Sequence, residues 1–161
     1  MNSLRSSVFV LLTLVWSIGC GPTTIENRGG AESPEGWAKI REQTIALELA
    51  ISPAEQTLGL GKRESLPWGH GMLFLYETPR FHRFWMKDMQ FDIDIVWIRD
   101  NRIVEISHGV RHRPGTTGDQ VSSQELTDRV LELPAGYASA QGLRKGNRVE
   151  IEILRDDWPP N

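Results

Sequence analysis

Asp92 and Asp94 stand two apart in the run FDIDIVWIR. On an extended strand that spacing puts both carboxylates on one face, with Cα atoms about 6.5–7 Å apart. Such a pair can divide acid and base roles, or hold a divalent cation with further oxygens. The plainer reading is structural: Asp94 accepts backbone N–H groups, or pairs with Arg83 or Lys87 to pin a strand entrance. It is preferred because buried aspartates are normally partnered, and a glycosidase-like pair needs a cleft between its carboxylates. His108 and His112 are four apart, a spacing that matters on a helix. Gly109, Pro114 and Gly115 deny a helix there, and Arg111 and Arg113 repel a cation, so no metal is expected. Arg111, His112 and Arg113 do form a donor cluster suited to a carboxylate, phosphate or sugar acid, although a solvated loop explains them as well. Phe81, Phe84, Phe91 and Trp97 fall at core spacing. Trp85 and Trp68 are the indoles to watch, since an exposed one would stack on a sugar or peptide. No nucleophile elbow, glycine-rich phosphate loop or dinucleotide fingerprint occurs, and no cofactor is expected.

Those residues need elements to place them. Gln43 to Ile51 alternates apolar and polar, which predicts a half-buried strand. Ser52-Pro53-Ala54-Glu55 predicts a capping box and a short helix, ended by Gly59 and Gly61. Lys62 to His70 reads as a loop and Met72 to Tyr76 as a core strand. Glu77-Thr78-Pro79-Arg80 is turn chemistry, and Phe81 to Met86 is the next strand. Along Phe91 to Arg99 both faces turn apolar, which predicts a central strand. Asp100-Asn101 then suits a two-residue hairpin turn before Arg102 to Ser107 returns. His108 to Gln120 is a long loop, and long loops are often functional or mobile. Arg129 to Leu133 and Arg148 to Leu154 are further strands, with a short helical turn after Pro134. Together with 15 glycines and 9 prolines, this pattern predicts an all-β, compact antiparallel sandwich or barrel-like domain with two short helices.

The ends and the bulk charge bound the setting. Arg5, the apolar run Val8 to Trp16, and Ser17-Ile18-Gly19-Cys20 resemble a lipoprotein signal with a lipidated cysteine. The expected organisation is a signal peptide over 1–19, a flexible tether over 20–37 bearing Cys20, and a β domain over 38–157. The expected location is the outer membrane, facing the periplasm, with the membrane as a partner through the lipid. As Cys20 is the single cysteine, neither an internal disulfide nor a cysteine zinc site is available. A net charge of −3 argues against nucleic acid as the main partner.

Gly59-Leu60, Leu66-Pro67, Gly71-Met72-Leu73-Phe74, Phe84-Trp85-Met86-Lys87 and Asp94-Ile95 form one set of motifs. Leu131-Glu132-Leu133-Pro134-Ala135-Gly136, Gly146 and Val149 extend it. Through these residues the chain resembles the DUF192 family from about Leu47 to Ile153, which implies a compact β-sandwich-like fold and no agreed activity. Gly61 and Asp92 depart from the family pattern, and Asp92 adds a carboxylate beside Asp94. The expected function is a non-catalytic envelope module binding a small molecule or an envelope protein near the 62–70 and 108–120 loops. The alternatives are a small hydrolase of envelope glycans acting through Asp92 and Asp94, and a structural or assembly protein with no ligand.

Overall fold

The computed structural model describes residues 33–158. The expected signal over 1–19, Cys20 and the first part of the 20–37 tether lie outside the described residues.

Among the described residues nine strands and two short helices follow one another. They are β1 (Gly36–Ile40), β2 (Gln43–Ala50), α1 (Pro53–Leu58), β3 (His70–Arg80), β4 (Arg83–Trp85) and β5 (Ile93–Arg99), then β6 (Arg102–Val110), β7 (Gln120–Ser122), β8 (Thr127–Pro134), α2 (Tyr137–Ala140) and β9 (Val149–Ile153). Seven strands form one curled sheet in the order β6-β5-β8-β3-β2-β1-β9, while β4 and β7 pair as a separate ribbon. The sheet edges meet at one end: Ile103 N–H donates to the Asn147 carbonyl at 3.0 Å and Val149 N–H to Asn101 at 2.9 Å. The result is a half-barrel, which shortens the exposed edges.

The all-β fold with two short helices is as expected, with one refinement. β2 and β3 run parallel, a pairing that needs a crossover connection, and α1 lies in that crossover. The capping box starts α1: Ser52 Oγ accepts from Glu55 N–H at 3.3 Å, and Glu55 Oε2 accepts from Ser52 N–H at 2.7 Å. Ser52→Ala is expected to cost about 1 kcal/mol, seen as a lower urea midpoint. Asp100 and Asn101 both have positive φ, 48° and 57°, the backbone a two-residue hairpin turn demands.

Two expectations are corrected. Glu77–Arg80 is no turn but the exposed end of β3, whose register against β8 shifts between Leu75 and Arg80. Pro79 is tolerated because it sits where the ladder is broken. The 108–120 segment is not loop throughout, since β6 runs to Val110 and pairs it with Ile93. Neither β1 nor the three-residue β7 is announced by alternation.

The sheet is apolar on both faces. Leu47, Leu73, Val96, Leu131 and Leu133 share a core with Ile103 and Val149 from the two edge strands, which can touch only inside the curl. On the other face Phe74, Ile95, Trp97 and Val130 pack with Leu60, Leu66 and Met86 from the covering segments. Trp97 is fully buried, and Phe84 meets it edge-on at 5.6 Å. Phe84, Phe91 and Trp97 are therefore filling, whereas Phe81, expected at core spacing, is 66% exposed because it lies just outside β4.

Candidate functional site

Glu132 lies on β8, near the middle of the sheet, opposite Met72 of β3 and Ile95 of β5. Strand alternation puts it on the same face as Val130, inside the second core rather than in water. It is 5% exposed, and its Oε2 is buried with no hydrogen-bond partner among the described residues. Burial pushes its carboxyl up to about 8, against the pull of the Arg63 guanidinium. Arg63 itself grips Glu48 with two parallel hydrogen bonds, at 2.5 and 2.6 Å. At neutral pH Glu132 is therefore mostly a neutral acid, able both to donate and to accept.

This acid is part of the lining of a cleft of about 200 Å³ between α1, β3 and β4. Gln56, Thr57 and Leu58 of α1 form one wall; Phe74, Tyr76, Phe84 and Trp85 supply aromatic surface. Gly59 keeps the base open. A Cβ there would lie 3.3 Å from the Phe74 ring and 3.9 Å from Glu132 Oε2, and its φ of +50° favours glycine. Gln56 Nε2 donates to the carbonyls of Ala50, Ile51 and Leu75, locking α1 onto the sheet. Burial raises the Tyr76 phenol to about 12, partly countered by Arg80 and reinforced by Glu132, so it stays a neutral hydroxyl. The side chains of Arg83 and Lys87 are exposed at the mouth, with no ion pair or hydrogen bond among the described residues. Two wider hollows, about 390 and 520 Å³, adjoin the cleft and share Gln56 and Tyr76 with it on one side, Trp85 and Lys87 on the other.

Of the candidate site residues Asp92, Asp94, Trp68, Trp85, Arg111, His112 and Arg113, only Trp85 reaches this cleft, with half of its surface exposed at the lip. Trp68 is exposed elsewhere, its ring 4.8 Å from that of Tyr137. Arg111 and Arg113 both turn to Asp119, at 3.8 and 2.9 Å. Their bonds hold the Asp119 carboxyl below the usual carboxylate range. His112 bonds Asp92 through Nδ1 at 2.6 Å and through its backbone N–H at 2.9 Å. The 111–119 loop thus spends much of its charge on itself. Among the described residues no three histidine, aspartate, glutamate or cysteine side chains gather as metal ligands.

Asp92 and Asp94 have separate surroundings and partners. Asp94 is wholly buried, and its two oxygens accept Gly109 N–H at 2.8 Å and Ala138 N–H at 2.9 Å. For Asp92 partial burial works upward, but the His112 hydrogen bonds and the nearby Arg111 outweigh it and lower the pKa. Neither residue lines the Glu132 cleft. In the sequence Leu131-Glu132-Leu133 reads as part of an ordinary strand, and nothing local marks Glu132 as a site. Its signal was position: a glutamate in a strand that the sheet covers on both faces.

The family model DUF192, described as "Uncharacterized ACR", matches residues 36–151. No curated protein matches the chain. A crystal structure of a protein of unknown function from Novosphingobium aromaticivorans DSM 12444 is similar at 28% identity and a TM-score of 0.66, covering 71% of this chain and 83% of its own. A second, from Sinorhizobium meliloti 1021 and provisionally named a transcription regulator, is similar at 29% identity and a TM-score of 0.66. It covers 75% of this chain and 97% of its own.

Proposed function

The chain belongs to the DUF192 family, and on that footing we propose that it is a non-catalytic domain that binds a small ligand in the cleft over Glu132. The observation that carries the reading is Glu132 Oε2. Buried polar atoms are almost always partnered, and an unpartnered one costs about 1–3 kcal/mol. A ligand group that bonds this oxygen would remove the cost, which gives the cleft an intrinsic affinity for polar ligands. A purely structural role leaves the same oxygen unexplained. The binding surface proposed here sits on α1, β3 and β4 and takes the place of the 62–70 and 108–120 loops.

Trp85 provides the readout. Ligands that enter the cleft are expected to change the part of the tryptophan fluorescence that is lost in Trp85→Ala, since the chain has six tryptophans, and Trp85→Ala to weaken them by about tenfold through lost aromatic contact. Ligands that bind with unchanged affinity to both Trp85→Ala and Glu132→Gln would place the site elsewhere.

The domain is proposed to work at the cell envelope, tethered through a lipid on Cys20. What supports this is the sequence from Arg5 to Cys20, since several acyl chains at about 0.8 kcal/mol per buried CH₂ anchor a protein firmly. Cys20→Ser is expected to move the protein from the membrane pellet to the soluble fraction and to abolish incorporation of a labelled fatty acid. Unchanged pelleting and no label in the parent chain would remove the tether.

A further inference from the structure

We infer that this cleft takes a small zwitterion, with an ammonium group seated on the Glu132 carboxylate, an anionic group at the mouth on Arg83 and Lys87, and a short apolar body between. The inference rests on the cleft being a ligand site, as proposed above, and adds the chemistry of what enters. Three features carry it.

The first is polarity along the cleft. Its base offers one acidic side chain with an unpartnered oxygen, and its mouth two cations with no ion pair among the described residues. A ligand negative at both ends would meet acid at the base, and one positive at both ends would meet cations at the mouth. Opposite charges at the two ends match both.

The second is the wall. Phe74 and Phe84 lie with Glu132 in the lining, and aromatic rings stabilise a desolvated cation through the ring quadrupole; the Tyr76 ring is already met by Arg80 at 4.8 Å and by His82 at 3.8 Å. The third is size. About 200 Å³ is close to the roughly 150 Å³ that holds a benzene ring, so the cleft itself seats a body the size of a free amino acid, with the two wider hollows open beside it.

Pairing has a proton balance. The empty site holds a neutral acid at pH 7, because burial raises the Glu132 pKa to about 8. Seating an ammonium turns carboxylic acid plus ammonium into carboxylate and ammonium, and the carboxyl proton leaves to buffer. The other groups facing Glu132 do not absorb it. Arg63 is held by Glu48; the Tyr76 phenol stays neutral; Arg83 and Lys87 lie at the mouth. Gln56 and Thr57 on α1 do not titrate, nor do Met72 and Ile95, which flank Glu132 in the sheet.

The test is calorimetric titration of the full chain at pH 7 in two buffers of different ionisation enthalpy, with Trp85 fluorescence followed in parallel. The probes are leucine, 4-methylpentanoate, which lacks the amine, and 3-methylbutylamine, which lacks the carboxylate. Leucine is expected to bind tightest and to release close to one proton. Glu132→Gln should abolish the release and weaken leucine at least tenfold while leaving 4-methylpentanoate unchanged. The double variant Arg83→Gln, Lys87→Gln should weaken leucine and spare 3-methylbutylamine. If 4-methylpentanoate binds as tightly as leucine, with no proton released, the zwitterion is wrong and the cleft reading stands. If no probe alters the Trp85 signal or gives heat, the zwitterion and the cleft reading fall together.

Discussion

Glu132→Gln is expected to stabilise the domain by a few kcal/mol at pH 9 and to change it hardly at all at pH 4. The sign follows from the carboxyl pKa, raised from 4.5 to about 8 in the folded chain. Below 4.5 the carboxyl is protonated in both folded and unfolded states, and its contribution is fully present. As the pH climbs, the unfolded chain releases the proton first while the folded chain retains it. Stability is therefore lost as pH rises from about 4.5 through the folded-state value, and above 8 the folded chain must bury a charge that the Arg63 guanidinium only partly offsets. A pKa unit corresponds to about 1.4 kcal/mol, so the loss is on the order of a few kcal/mol, a large share of a typical 5–15 kcal/mol domain stability. Glutamine keeps the shape and the capacity to donate and accept without the charge. Urea midpoints of the parent and variant should coincide near pH 4 and diverge steadily toward pH 9. Parallel curves would show that Glu132 does not carry the raised pKa.

Asp94→Ala is expected to be the most damaging single substitution outside the apolar core. Its carboxylate ties the β6 end, through Gly109, to the first turn of α2, through Ala138. Gly136, at the N-cap of α2, supplies no side-chain hydrogen bond, so Asp94 caps that turn from another strand. Alanine leaves the buried Ala138 N–H without an acceptor and opens a void beneath it. Charge-assisted bonds of this kind contribute about 1.5–3 kcal/mol each. The predicted loss is about 3 kcal/mol, or a fall in melting temperature on the order of 10 °C. Asp92→Asn, which keeps an acceptor for the His112 N–H, should cost under about 1 kcal/mol because that side chain is partly solvated. Equal losses from the two substitutions would contradict the different placements of these neighbouring carboxylates.

Local chemistry made much of the fold legible. Ser52 to Glu55 specified a capping box because its bonds are short-range, and Asp100-Asn101 specified a hairpin turn because few residue types accept two positive φ values. The alternation through Phe91 to Arg99 placed Val96 and Ile98 on one core and Ile93, Ile95 and Trp97 on the other. What local patterns could not carry was pairing over distance. The parallel β2–β3 partnership, the bulge that keeps Glu77 to Arg80 extended, and β7 all depend on which segment lies alongside. The site was hidden for the same reason. Asp92, His112 and the arginines drew attention as clusters in sequence, yet they mostly satisfy one another on a loop. Glu132 stands alone between two leucines, and only the strands and segments packed around it turn a common surface residue into a buried acid.

The most direct measurement is the pH titration of the Glu132 side-chain carbonyl by carbon NMR, with its resonance assigned by loss in Glu132→Gln. A midpoint near 8 is predicted for the ligand-free protein. A midpoint near 4.5 would show a solvated, ordinary carboxylate, and the cleft would lose the group on which its binding chemistry depends.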